Sequence, residues 1–393
     1  MANAVLARYP IVLIVLLLAT LAGCGTTEVK STTFTPLHQE TAAIPESQLL
    51  DVGVITFDPG LDKDGDDEMV RPEVRNAESR YLVSQLVATL ANSGAWGPVR
   101  VIPEAGTVVD LYVEGTILHS DGERLELAVR ARDSSGRQWL DKTYEEVASL
   151  YAYDQRRSQA RDPFQGLFNR IANDLVQARN ALPPGRAEEL RTISELRFAR
   201  DFAPDAYAQH IRENRKGELE IIRLPAENDP IMARIQRIRE RDYLFVDTLQ
   251  EHYDSFQRRM DEPYQTWRAE SYQEVIATRK LKRQSTARMV GGIAAVAGGI
   301  LAAGSGDGSA QVGGLMAAGA GGMLIKSALE KRQEAQMHIE ALAELGESLE
   351  VAIEPQVIEL EDRTITLTGN AQAQYAQWKE ILRQIYAAER GIQ

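Results

Sequence analysis

Asp110-Leu111-Tyr112-Val113-Glu114-Gly115-Thr116-Ile117-Leu118 runs through the turn Ser120-Asp121-Gly122-Glu123 into Arg124-Leu125-Glu126-Leu127-Ala128-Val129-Arg130-Ala131-Arg132. In the second run Leu125, Leu127 and Val129 alternate with Glu126, Ala128 and Arg130. A strand has a side-chain period of two, so this pattern predicts one buried face. The Asp-Gly step predicts that the two runs form a hairpin. Asp133-Ser134-Ser135-Gly136 then turns into a third run over 138–144. Upstream, Leu49-Leu50-Asp51-Val52-Gly53-Val54-Ile55-Thr56-Phe57 reads as a strand. Tyr81, Leu82, Leu86, Val87 and Leu90 recur at helical spacing over 73–92, Ser93-Gly94 stops that helix, and 99–102 reads as another strand. A β-α-β unit followed by a meander predicts a two-layer α+β domain over 49–150.

Between the first strand and the helix, Asp62, Asp64 and Asp66 have the spacing of the first calcium ligands of an EF-hand. Position 6 of that loop is Asp67, where the sharp turn needs glycine, and Pro72 disturbs the approach to Glu73. The stretch therefore reads as a solvated acidic loop.

Residues 154–288 carry helical stripes. Phe164, Leu167, Phe168, Ile171 and Leu175 form one, which Pro183-Pro184-Gly185 breaks. Ile231, Ile235 and Ile238 continue towards Leu249, Tyr253, Phe256 and Met260, and Pro263 predicts a kink or restart. The arginines between 234 and 241 read as a solvated helix face.

From 289 to 325 the only charged residue is Asp307. Small residues recur every four positions: Gly291, Ala295, Gly299 and Ala303 before the Ser305-Gly306-Asp307-Gly308-Ser309 turn, and Gly314, Ala318 and Gly322 after it. Such columns let helices approach closely, as in membranes. Arg279, Lys280, Lys282 and Arg283 precede the run, placed to meet anionic head groups. The pattern resembles the glycine-zipper hairpins of bacterial surface lipoproteins and implies membrane insertion; soluble self-association and a plain loop are the alternatives. Helical pattern on both sides predicts two long antiparallel helices with this hairpin at their tip. Residues 326–393 then read as a return helix, short strands and a last helix carrying Tyr375, Trp378, Ile381, Leu382 and Ile385.

At the other end, Arg8 precedes an apolar run over 11–18 that ends in Leu21-Ala22-Gly23-Cys24, the only cysteine. This resembles the lipobox of bacterial lipoproteins. The resemblance implies that residues 1–23 are a signal peptide cleaved after Gly23 and that Cys24 is acylated and anchored in membrane lipid. With Gly25 next, it implies the outer membrane, facing the periplasm. Six Thr, two Ser and two Pro in 25–48 predict a flexible tether with an r.m.s. span of about 27 Å. The segment 110–117 is similar to a strand of the curli-secretion lipoprotein and of the activators of penicillin-binding proteins, a likeness that bears on fold.

The 44 Lys and Arg against 57 Asp and Glu in 393 residues disfavour nucleic-acid binding, which needs a basic surface. One cysteine excludes an internal disulfide and a multi-cysteine metal site. No zinc-protease, P-loop, dinucleotide or serine-hydrolase motif occurs. The chain therefore reads as a non-catalytic, lipid-anchored envelope protein without cofactor: a scaffold, assembly factor or complex subunit with an envelope protein partner, able to form homo-oligomers. The alternatives are a pore or secretion-channel subunit and a regulator of a cell-wall enzyme.

Overall fold

The computed structural model describes residues 27–31, 34–61, 72–103, 106–148, 152–153, 162–302, 344, 356–359, 364–368 and 370–391. The predicted α+β domain is present. Strands β1 (Thr27–Ser31), β2 (Val52–Ile55), β3 (Val99–Ile102), β4 (Leu111–Ser120), β5 (Arg124–Asp133) and β6 (Gln138–Val147) form one mixed sheet in the order β1-β6-β5-β4-β2-β3. The meander β4-β5-β6 is antiparallel, whereas β2 lies parallel to both β3 and β4. Helix α1 (Pro72–Asn92) makes the crossover between β2 and β3, as a parallel pair requires.

The apolar face of the sheet is covered by α1 and by α2 (Gln165–Asn180), whose Phe168, Ile171 and Leu175 join Leu125, Leu127 and Val129 in one core. That core does not end near residue 150. Tyr253, Phe256, Met260, Tyr264, Trp267 and Tyr272 complete it from α5 (Pro230–Ala302), a helix of 73 residues and about 110 Å. A second core forms on the Tyr112 side. It joins α3 (Arg186–Phe202), the short α4 (Pro204–Tyr207), the first half of α5 and the last helix α6 (Ala371–Glu389). Strands β9 (Gln356–Glu359) and β10 (Thr364–Leu367) pair antiparallel before α6, giving the expected C-terminal ββα element. Asn370 caps α6 by accepting the Ala373 N–H at 2.9 Å.

Four expectations change. Residues 27–31 and 34–48 are not a free tether: β1 pairs with β6, Asn169 Nδ2 donates to Thr35 O at 2.8 Å, and Glu40 N donates to Ser93 O at 2.8 Å. The helical middle is interrupted by a small hairpin, β7 (Ile211–Glu213) with β8 (Leu219–Ile221), whose turn places Gly217 at a φ of 78°. Pro263 lies inside α5 without ending it; the helix tolerates the lost hydrogen bond because Met260 and Tyr264 beside it are fully buried. The arginines between 234 and 241 are not a bare solvated face. Arg234, Arg237 and Arg241 converge on Glu389 of α6, and Arg239 turns inward.

If α5 is part of the first core, Phe256→Ala should cost about 3–5 kcal/mol of unfolding free energy. Leu244→Ala, at a position 67% exposed on the same helix, should stay within about 0.5 kcal/mol. Urea unfolding of the unlipidated Cys24→Ser chain measures both; equal midpoints would show that α5 is only laid on the surface.

Candidate functional site

The root of the long helix is a buried polar node. Arg268 of α5 is fully buried; its guanidinium lies 4.4 Å from the ring centroid of Tyr264, 5.3 Å from Phe164 and 6.0 Å from Tyr81. It forms a two-pronged ion pair with Asp162, just ahead of α2, with Nη1 at 3.3 Å from Oδ1. One helical turn earlier, Tyr264 donates to Glu78 Oε1 at 2.7 Å, and Ser120 Oγ donates to the same oxygen at 2.6 Å. Arg75 stands 3.5 Å from the other Glu78 oxygen. Tyr81 donates to Asp261 Oδ1 at 2.7 Å. The turn between β4 and β5 closes over the helix here. A Cβ on Gly122 would lie 2.4 Å from the Arg268 carbonyl oxygen, so only glycine fits.

A second node ties α5 to α3. Ser194 Oγ donates to buried Asp110, whose other oxygen accepts the Asp51 N–H at 2.9 Å. Arg239 donates to Ser194 Oγ at 3.0 Å and to Tyr243 at 2.9 Å. A cleft of about 310 Å³ opens beside it, lined in part by Arg191, Glu195 and Glu240. Ser194 is fully buried, and its hydroxyl donates to Asp110 while accepting from Arg239, so the trio links α3, α5 and the start of β4. Among the described residues, no group of three or more His, Cys, Asp or Glu side chains is arranged to hold a metal ion.

The residues singled out in the sequence fall elsewhere. Arg279, Lys280, Lys282, Arg283, Gly291, Ala295 and Gly299 all lie on the helical backbone of α5. Ala303, Gly314, Ala318 and Gly322 lie outside the described residues, as do Gly23 and Cys24. Among the described residues no helix is long and apolar enough to cross a membrane. Sequence reasoning missed the Arg268 node; the only signal was an aromatic series, Tyr264 and Trp267, beside an arginine. No family model, no curated protein and no solved structure matches this chain.

Four buried carboxyls share one electrostatic feature. Burial pushes Glu146 up to about 7 against the opposing pull of Arg170, 3.5 Å away. Burial likewise raises Asp242 to about 6, and raises Glu78 and Asp110 above the usual carboxylate range. Glu146 sits against the first turn of α2, where it accepts the Leu167 N–H and where a Cβ on Gly166 would lie 2.6 Å from its oxygen. For acids raised in the folded state, the folded chain holds more protons than the unfolded one between the two pKa values, so stability falls as pH rises. Unfolding free energy should therefore decline from pH 5 to pH 8. Glu146→Gln, which mimics the protonated form, should flatten the part of that decline near pH 7. Urea titrations across this range check it; a rise with pH, or an unchanged slope in the variant, contradicts the assignment.

Proposed function

We propose that this is a non-catalytic, lipid-anchored protein of the outer membrane, facing the periplasm, whose globular body carries a glycine-rich hairpin on a long helix. The body would act as scaffold or assembly subunit, and the hairpin as the part that enters a bilayer or packs with its copies. The observation that carries this reading is the continuity of α5. One helix begins in the second core, passes the Arg268 node, and runs on through the basic stretch at 279–283 into the glycine-rich run. Past Ile276, the last residue of α5 whose side chain is described, the helical backbone continues for about 39 Å. A force or a binding event at the hairpin is thus transmitted to the body through hydrogen-bonded backbone. The spacing of Gly291, Ala295 and Gly299 along this helix supports close helix-helix contact, and with it the reading as an oligomeric pore or secretion-channel subunit. Voltage-dependent conductance in planar bilayers separates that reading from a scaffold.

Cys24→Ser should abolish lipid labelling and lipoprotein-type maturation. In that background the hairpin should still hold part of the protein on anionic vesicles, and added salt should weaken the hold by screening the cations at 279–283. Gly299→Leu should reduce vesicle retention or oligomer formation, although leucine is both the better helix former and the more apolar residue. Normal maturation of the Cys24 variant removes the anchor from this account. Indifference of the unlipidated chain to vesicles, with Gly299→Leu behaving as wild type, removes the hairpin.

A further inference from the structure

The position of β1 fixes which side of the body faces the lipid. Parallel pairing sets Thr27 opposite Lys142 and Ser31 opposite Glu146, so β1 starts on the side on which β6 starts. Two residues, Gly25 and Thr26, separate Cys24 from Thr27, so Cys24 lies within about 11 Å of Thr27. A lipid on Cys24 is therefore tethered within that reach of the strand pair Thr27 and Lys142, and Lys142 is four residues along β6 from Gln138, where the turn between β5 and β6 ends. That turn, Asp133 to Arg137, is closed by Asp133 N donating to Arg137 O at 2.9 Å and exposes Arg137.

The β7-β8 hairpin is fastened to the same turn. Leu219 N donates to Ser135 O at 2.8 Å, and the Gly217 carbonyl oxygen lies 3.5 Å from where a Gly136 Cβ would stand. Arg215 and Lys216 are exposed at the hairpin tip, which Asn214 organises by accepting the N–H groups of Lys216 and Glu218 at 2.8 and 3.1 Å. Just beyond β8, Ile222 is 48% exposed and Leu224 64%, with Arg223 between them. These two are among the few large apolar side chains exposed in the described residues. Glu213, Glu218 and Glu220 balance the cations of the hairpin, so apolar contact rather than net charge must supply the attraction.

We propose that this end of the body, with Arg137, the tip Arg215-Lys216 and the apolar pair Ile222 and Leu224, is a membrane-docking face that lies on the bilayer holding the Cys24 lipid. The proposal rests on the acylation of Cys24. Docked in this way, the body lies at the lipid surface rather than at the end of a long flexible leash, and α5, which leaves the body past Gly122 at the opposite end of the sheet, carries the hairpin away from that surface, towards a second bilayer or a second copy.

The test uses the full-length lipidated protein in vesicles whose lipids carry a fluorescence quencher. Single cysteines at Lys216→Cys, Leu224→Cys and Glu73→Cys take a fluorophore; Glu73 is exposed in the first turn of α1, towards the opposite end of the sheet. Fluorescence should be lost at 216 and 224 and retained at 73, and Ile222→Asp should restore the signal at 224. Equal signal at all three positions, or quenching at 73 alone, overturns the docking face. Mass spectrometry of the N-terminal peptide separates the two failures: an unacylated Cys24 ends the anchor reading, whereas an acylated Cys24 with no quenching at 216 and 224 ends only this proposal.

Discussion

Arg268 is the constraint on which the arrangement of helices depends. Moving a guanidinium out of water costs several kcal/mol, and the cost is offset only where charge and hydrogen-bond geometry are both met. Here Asp162 supplies the charge, while Tyr264, Phe164 and Tyr81 present ring faces to the cation. The partners come from α1, from the lead into α2 and from α5 itself, so three separate stretches must be in place at once. A one-residue slip of α5 would rotate Arg268 by about 100° and leave Asp162 without Arg268 and Glu78 without Tyr264. The absence of room for a Cβ at Gly122 fixes the same register from the sheet side.

This pinning changes the meaning of domain boundaries in the chain. The α+β sheet ends at Val147 and the long helix starts only at Pro230, yet their apolar side chains form one core. The C-terminal helix is drawn into the same body from the other side, where Tyr375 donates to buried Asp242 and Glu389 gathers three arginines. The part of α5 that precedes the glycine-rich run and the helix α6 that follows it in the chain are therefore both packed in the globular part. In the proposed function, the hairpin is then a projection held at both ends by folded structure rather than a separate module on a linker.

Much of the sheet was legible because its strands are long and one-sided. Residues 124–132 alternate cleanly, and the alternating Leu125, Leu127 and Val129 are all fully buried. The helical stripe from Phe164 to Leu175 and the one from Leu249 to Met260 were legible for the same reason, since each buries a single face. Strand β1 was not, because Thr-Glu-Val-Lys-Ser has no apolar period and owes its conformation to the open edge of β6. The β7-β8 hairpin pairs three residues on each side, too few to display a period. The Arg268 node was invisible because charged side chains are usually solvated, and only the distant residues that pay for burial make an exception. The glycine column at 291–299 was read from spacing, and its residues continue the backbone of the same helix.

The central claim is that α5 between Tyr253 and Tyr272 is part of the folding core and not an appendage to it. Native-state hydrogen exchange on the unlipidated chain tests this directly. The account predicts that amides of 253–272 exchange only through the global unfolding reaction, with the same opening free energy and the same denaturant dependence as amides of β4 and β5. Exchange of 253–272 through a lower-energy opening, while β4 and β5 stay protected, would contradict it.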